Sequence, residues 1–128
     1  MEPFANALEQ ELGEKFYKTL LLNDIPIFSS ESKTVGVVVS KLDVLIKNLN
    51  LDLEVKPEML QKRTVGEHEL IGMPDRACIN AELYRKVVTA LKKIGLSDYT
   101  VLMRKEENAG VVILTPKCSV IIAPFVVE

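Results

Sequence analysis

Residues 77–128, ACINAELYRKVVTALKKIGLSDYTVLMRKEENAGVVILTPKCSVIIAPFVVE, decide the fold. Asn80 is a good N-cap, because its side chain can accept from backbone donors that a first helical turn leaves unpaired. From there Leu83, Tyr84, Val87, Val88, Leu91 and Ile94 fall on one arc of a helical wheel. Glu82, Arg85, Lys86, Thr89, Lys92 and Lys93 fill the opposite arc. Gly95 supplies a left-handed stop, and Lys92 and Lys93 sit where the helix dipole favours cations. The spacing therefore predicts a helix over 80–95. A short strand precedes it, and three strands follow over 99–104, 111–115 and 119–127. Residues 106–110 read as a polar hairpin loop ending in Gly110. Pro116 cannot donate to a ladder, so it belongs in the turn between the last two strands. The order is β-α-β-β-β.

That order and the closing tetrapeptide Ile121-Ile122-Ala123-Pro124 resemble the closing half-domain of DNA sliding clamps of the PCNA type. Where the family carries Arg after the proline, this chain has Phe125. The resemblance spans residues 78–128. It implies a non-enzymatic subunit that joins its neighbours by strand-edge pairing and turns the basic faces of paired helices towards the DNA backbone.

Outward from this half, 34–73 reads as a first, shorter β-α-β unit. Val35 to Val39 are β-branched apart from Gly36, and Leu42, Leu45, Ile46 and Leu49 stand at helical spacing over 41–50. Leu51 to Val55 alternates as a half-buried strand does. Laid beside 77–103, the stretch 37–55 looks like a shorter copy of one plan, and sliding-clamp domains are themselves built from two such halves. Gly72-Met73-Pro74-Asp75 reads as the turn joining the units, and Gly66 and Gly72 weaken a strand over 64–73. Ahead of both units, 1–24 reads as a helix running to about Asn23, with Pro3 in its first turn and a stripe of Phe4, Leu8, Leu12, Phe16 and Leu20. Gly13 would lie mid-helix, at a cost of about 1 kcal/mol.

The chain of 128 residues is one domain by length, with a formal charge of −2 and no tract long enough to cross a membrane. No signal-peptide pattern opens it, so the expected location is cytoplasmic. Abundant Lys and Glu with no Trp point towards a thermophilic source. The balanced charge carries no global nucleic-acid signature, so any contact with DNA has to come from a local face.

Candidate chemistry is sparse. Cys78 and Cys118 lack C-x-x-C spacing and read as buried free thiols, a strand-to-strand disulfide being the alternative. His68 is the one histidine, flanked by Glu67 and Glu69, and it reads as a surface residue. No phosphate loop or nucleophile system is present in the sequence. No cofactor or metal is expected.

Two surface features remain. Lys41 and Lys47 on the first helix, with Arg85, Lys86, Lys92 and Lys93 on the second, make a candidate nucleic-acid face. The apolar C-terminal run Val120, Ile121, Ile122, Ala123 and Phe125 is either an edge strand open to self-association or a central strand that fills the core. The expected fold is α+β, an antiparallel or mixed sheet with two amphipathic helices on one face plus an N-terminal helix. The expected function is a clamp-like domain that self-associates and contacts DNA. The alternative is an interaction module docking through its N-terminal helix.

Overall fold

The computed structural model describes residues 3–22, 25–30, 37–41, 51–73, 76, 78–104 and 110–125, without the side chains of 19–22, 25–27, 38, 40 and 41. The 41–50 helix beyond Lys41, the 31–33 loop, Asn23-Asp24, Pro74-Asp75, the 106–109 loop and Val126-Val127 lie outside the described residues.

The fold is α+β. Its helices are α1 (Pro3–Leu12) and α2 (Ala81–Lys93), and its strands are β1 (Phe16–Leu22), β2 (Ile25–Ser30), β3 (Val37–Lys41), β4 (Leu53–Val55), β5 (Gln61–Val65), β6 (His68–Gly72), β7 (Cys78–Asn80), β8 (Thr100–Met103), β9 (Val111–Leu114) and β10 (Cys118–Ile122). A 3₁₀ turn, Pro57–Met59, precedes β5.

Seven strands form one sheet in the order β1-β2-β3-β10-β9-β8-β4, and β5-β6-β7 form a smaller one. Every pairing among the described strands is antiparallel. At the centre β10 runs against β3, with Val120 opposite Val39 and Ile122 opposite Val37. Strand alternation sends Val37, Val39, Val101, Met103, Val111, Ile113, Val120 and Ile122 to one face, where all are buried in a common core. Phe4, Ala5 and Leu8 of α1 and Val87, Ala90 and Leu91 of α2 complete that core. The smaller sheet adds Ile71 and Ile79 beside α2.

Three sequence expectations change. The N-terminal helix ends at Leu12, not near Asn23, because Gly13 turns to φ 69° and its N–H closes the last turn on the Glu9 carbonyl. Glycine is there to stop the helix, and Leu20 to Leu22 belong to β1. The stretch 61–72 is a hairpin, not one weak strand, with Gly66 at φ 62° in its two-residue loop. The internal repeat also has different boundaries. Helix α1 with β1, β2 and β3 matches helix α2 with β8, β9 and β10, each a helix followed by a three-strand meander. The third strands of the two meanders meet at the middle of the sheet. Read without β4, the strand order is the same from either end. The proposed copy over 37–55 has a strand at each end, β3 and β4, and its middle lies outside the described residues.

Helix α2 follows its local signals. Asn80 Oδ1 accepts from the Leu83 N–H at 2.9 Å, and Gly95, at φ 82°, donates to the Lys92 carbonyl. Among the described residues, no helix is long and apolar enough to cross a membrane.

Candidate nucleic-acid interface

The solvent side of α2 carries Glu82, Arg85, Lys86, Lys92 and Lys93, and their neighbours divide it into two flanks. On the flank beside α1, Lys93 Nζ lies 2.8 Å from Glu11 Oε2, an ion pair that ties the two helices together. Lys86 Nζ reaches Glu82 at 3.6 Å, one turn earlier. The Arg85 guanidinium stands 3.9 Å from the same carboxylate and is 73% exposed, so it remains largely available to solvent and ligands. Lys92 is exposed and takes part in no ion pair among the described residues. Helix α1 adds no cation to this layer. It shows Asn6 and Gln10 to solvent and brings Glu9 and Glu11. Glu9 is engaged, since its Oε1 accepts from the Phe16 N–H at 2.7 Å and so anchors the start of β1.

The other flank of α2 borders a groove of about 570 Å³ against the smaller sheet. Ile71, Ala81, Tyr84 and Val88 contribute its apolar lining, and Lys62, Glu69, Glu82, Arg85 and Lys92 its charges. Lys62 comes from β5, opposite Ile71 in the register. The Tyr84 hydroxyl is engaged with that of Tyr99 at 2.6 Å, the two rings meeting edge to face. Burial first, and then Tyr99, hold the Tyr84 phenol above its ordinary value of 10.0.

The expected face is therefore only partly assembled. Arg85, Lys86, Lys92 and Lys93 share one exposed surface. Lys41 is not on a helix beside them but at the end of β3, opposite Cys118 in the register. Lys47 lies outside the described residues. Lys62 was missed, although its signal is readable: Gln61 to Val65 and His68 to Gly72 flank Gly66-Glu67, a spacing that marks a hairpin.

Edge pairing through the C-terminal run is overturned. β10 is flanked by β3 on one side and β9 on the other, so its backbone ladder is filled. Val120 and Ile122 are fully buried, and Ile121 is partly so. After β10 the chain leaves the large sheet. The Phe125 N–H donates to the Cys78 carbonyl at 2.7 Å, and the Phe125 ring lies 4.8 Å from that of His68. Ala123 is exposed between these anchors. Among the described strands, the large sheet ends at β1 and β4 and the smaller one at β5 and β7. Phe4, Ala5 and Leu8, the start of the apolar stripe read along the N-terminal helix, face the core of this chain.

Both cysteines are free, Cys118 buried and Cys78 partly so. Burial pushes the Cys118 thiol above 9.0, against the pull of the Thr115 hydroxyl. Among the described residues, no group of three metal-ligating side chains comes together. Comparison of the chain with protein families, with curated proteins and with solved structures finds no match.

Proposed function

We propose that this chain is a non-enzymatic, clamp-like domain that assembles through open strand edges and contacts the DNA backbone through the basic side of α2. The observation that carries the reading is the doubled plan. Two helix-plus-meander units share one sheet, their helices side by side on a single face. That is the construction the resemblance implies for a whole clamp domain, and it gives α1 a place that the closing half alone does not.

The two ends of the large sheet are unlike. β1 has seven residues and an exposed Tyr17, whereas β4 has three. Pairing of one copy's β1 with the next copy's β4 would be head-to-tail, a contact that closes into a ring where the rotation permits. One such domain equals one of the six in a clamp ring, so assembly is required for an enclosed DNA.

Solution mass by light scattering, at low and high salt and with and without a DNA duplex, tests this. A closed oligomer that takes up duplex in a salt-sensitive way is the expected result. A monomer or dimer indifferent to DNA overturns the proposal.

A further inference from the structure

We infer that the phosphate track of this protein runs along the groove between α2 and β6, held by Lys62, Arg85 and Lys92, and not along the seam between α1 and α2. The inference rests on the DNA-contacting reading and adds to it a strand residue outside the helix layer.

The division of ion pairs is the first ground. A phosphate approaching the seam has to displace Glu11 from Lys93 and Glu82 from Lys86, and Glu11 is mostly shielded, with 22% of its side chain exposed. On the groove side Lys62 and Lys92 are exposed and make no ion pair among the described residues, and Arg85 is held only at 3.9 Å. Cations that are already neutralised release few counterions when a phosphate arrives, so they add little to affinity.

The shape of the groove is the second ground. Its lining runs from Ala81 to Lys92, about 16 Å of helix at the usual rise per residue. Lys62 and Glu69 line it from the smaller sheet and Arg85 and Lys92 from the helix, so the three cations border one continuous groove. Glu69 is the opposing charge on the β6 wall. It marks where one substitution would improve the site.

Arg63 supplies a control. It follows Lys62 in β5, is exposed like it, and points to the other face of the strand. Lys62→Gln and Arg63→Gln therefore change the net charge equally and differ only in place.

The experiment is fluorescence anisotropy of a labelled 30-base-pair duplex with the full chain, titrated over a range of salt. Each lost phosphate contact lowers the salt slope by about 0.9 and the affinity roughly fivefold near 0.15 M salt. Lys62→Gln with Lys92→Gln is expected to weaken binding by more than tenfold and to flatten the slope. Arg63→Gln should leave both unchanged, and Glu69→Gln should tighten binding. All four positions are exposed, and an unchanged unfolding midpoint certifies the fold.

If Lys86→Gln with Lys93→Gln carries the loss while Lys62 and Lys92 are silent, the track lies on the seam: the inference falls and the DNA reading stands. If Arg63→Gln costs as much as Lys62→Gln, only net charge matters and the inference falls. If the unaltered protein does not bind the duplex, both fall.

Discussion

The two halves of the molecule share a plan and differ in how their sequence specifies it. In the second half, α2 has its own cap in Asn80, an acid in its first turn, two cations in its last and a glycine stop. In the first half, α1 is ten residues long, with no acid in its first turn and no base in its last. A helix that short is marginal in isolation, since nucleation costs more than a few hydrogen bonds return. What holds α1 is its buried face: Ala5 and Leu8 are fully enclosed, Phe4 nearly so. The same architecture is thus reached once by local signals and once by packing against the finished partner. α2 carries more local signals than α1, and both helices are completed by burial in the shared core.

The largest test of this contrast is a cavity in each helix. Leu8→Ala and Leu91→Ala both empty fully buried sites, and each should cost about 2–5 kcal/mol by urea denaturation. Because the helices share one core, each variant should still unfold in a single transition, and the double variant should depart from additivity. The halves should part in residual structure. At denaturant concentrations where Leu8→Ala has unfolded, helical signal from 81–93 should outlast any from 3–12. A loss below about 1 kcal/mol in Leu8→Ala would break the comparison, since α1 would then be dispensable to the core.

A smaller effect is expected at the last turn of each meander. Between β9 and β10, Thr115 Oγ1 accepts from the Cys118 N–H at 2.9 Å and the Lys117 N–H at 3.2 Å and donates to the Cys118 carbonyl. The matching place after β2 is Ser30, whose Oγ accepts from the Val37 N–H at a longer 3.4 Å. Thr115→Val keeps the shape and strands buried backbone donors, so about 1–3 kcal/mol is expected. The loss of that bond in Ser30→Ala should cost less, because it is longer and only partly buried. Equal losses in thermal unfolding would erase the asymmetry between the halves.

How much of this was legible follows the same division. The helix over 80–95, its cap and stop, and the meander with Pro116 in a turn are all read from residues within a few positions of one another. They stand in the structure nearly as the sequence has them, except that the last strand, read over 119–127, ends at Ile122. The first half misleads at Gly13. An apolar residue at every fourth position reads as one long helix, and only the positive φ at Gly13 shows where the helical period gives way to the strand period of β1. The centrality of β10 is not a local property either. An apolar run such as Val120 to Ile122 fits an edge or a centre equally well, and what decides is that β3, about eighty residues earlier, lies against it. For the site, the residue types of α2 were readable, but which cations are already engaged depends on Glu11, and the groove depends on a hairpin that its glycine loop alone could have announced.

The finest test lies where the halves touch through charge. Glu11 and Lys93 are 82 residues apart in sequence and 2.8 Å apart in space. Lys93 is 60% exposed, so solvent screens the pair, and a double-mutant cycle with Glu11→Gln and Lys93→Gln should return a coupling of only about 0.2–1 kcal/mol, shrinking as salt rises. Stability is then nearly silent while charge is not. Glu11→Gln releases Lys93 from its carboxylate without touching the groove, so duplex affinity should rise slightly, by less than the gain from Glu69→Gln. A gain larger than that of Glu69→Gln would mean that Lys93, once freed, reaches phosphate more effectively than Lys92 does. The seam between the halves, and not the outer flank of the second, would then be the electrostatic face of the molecule.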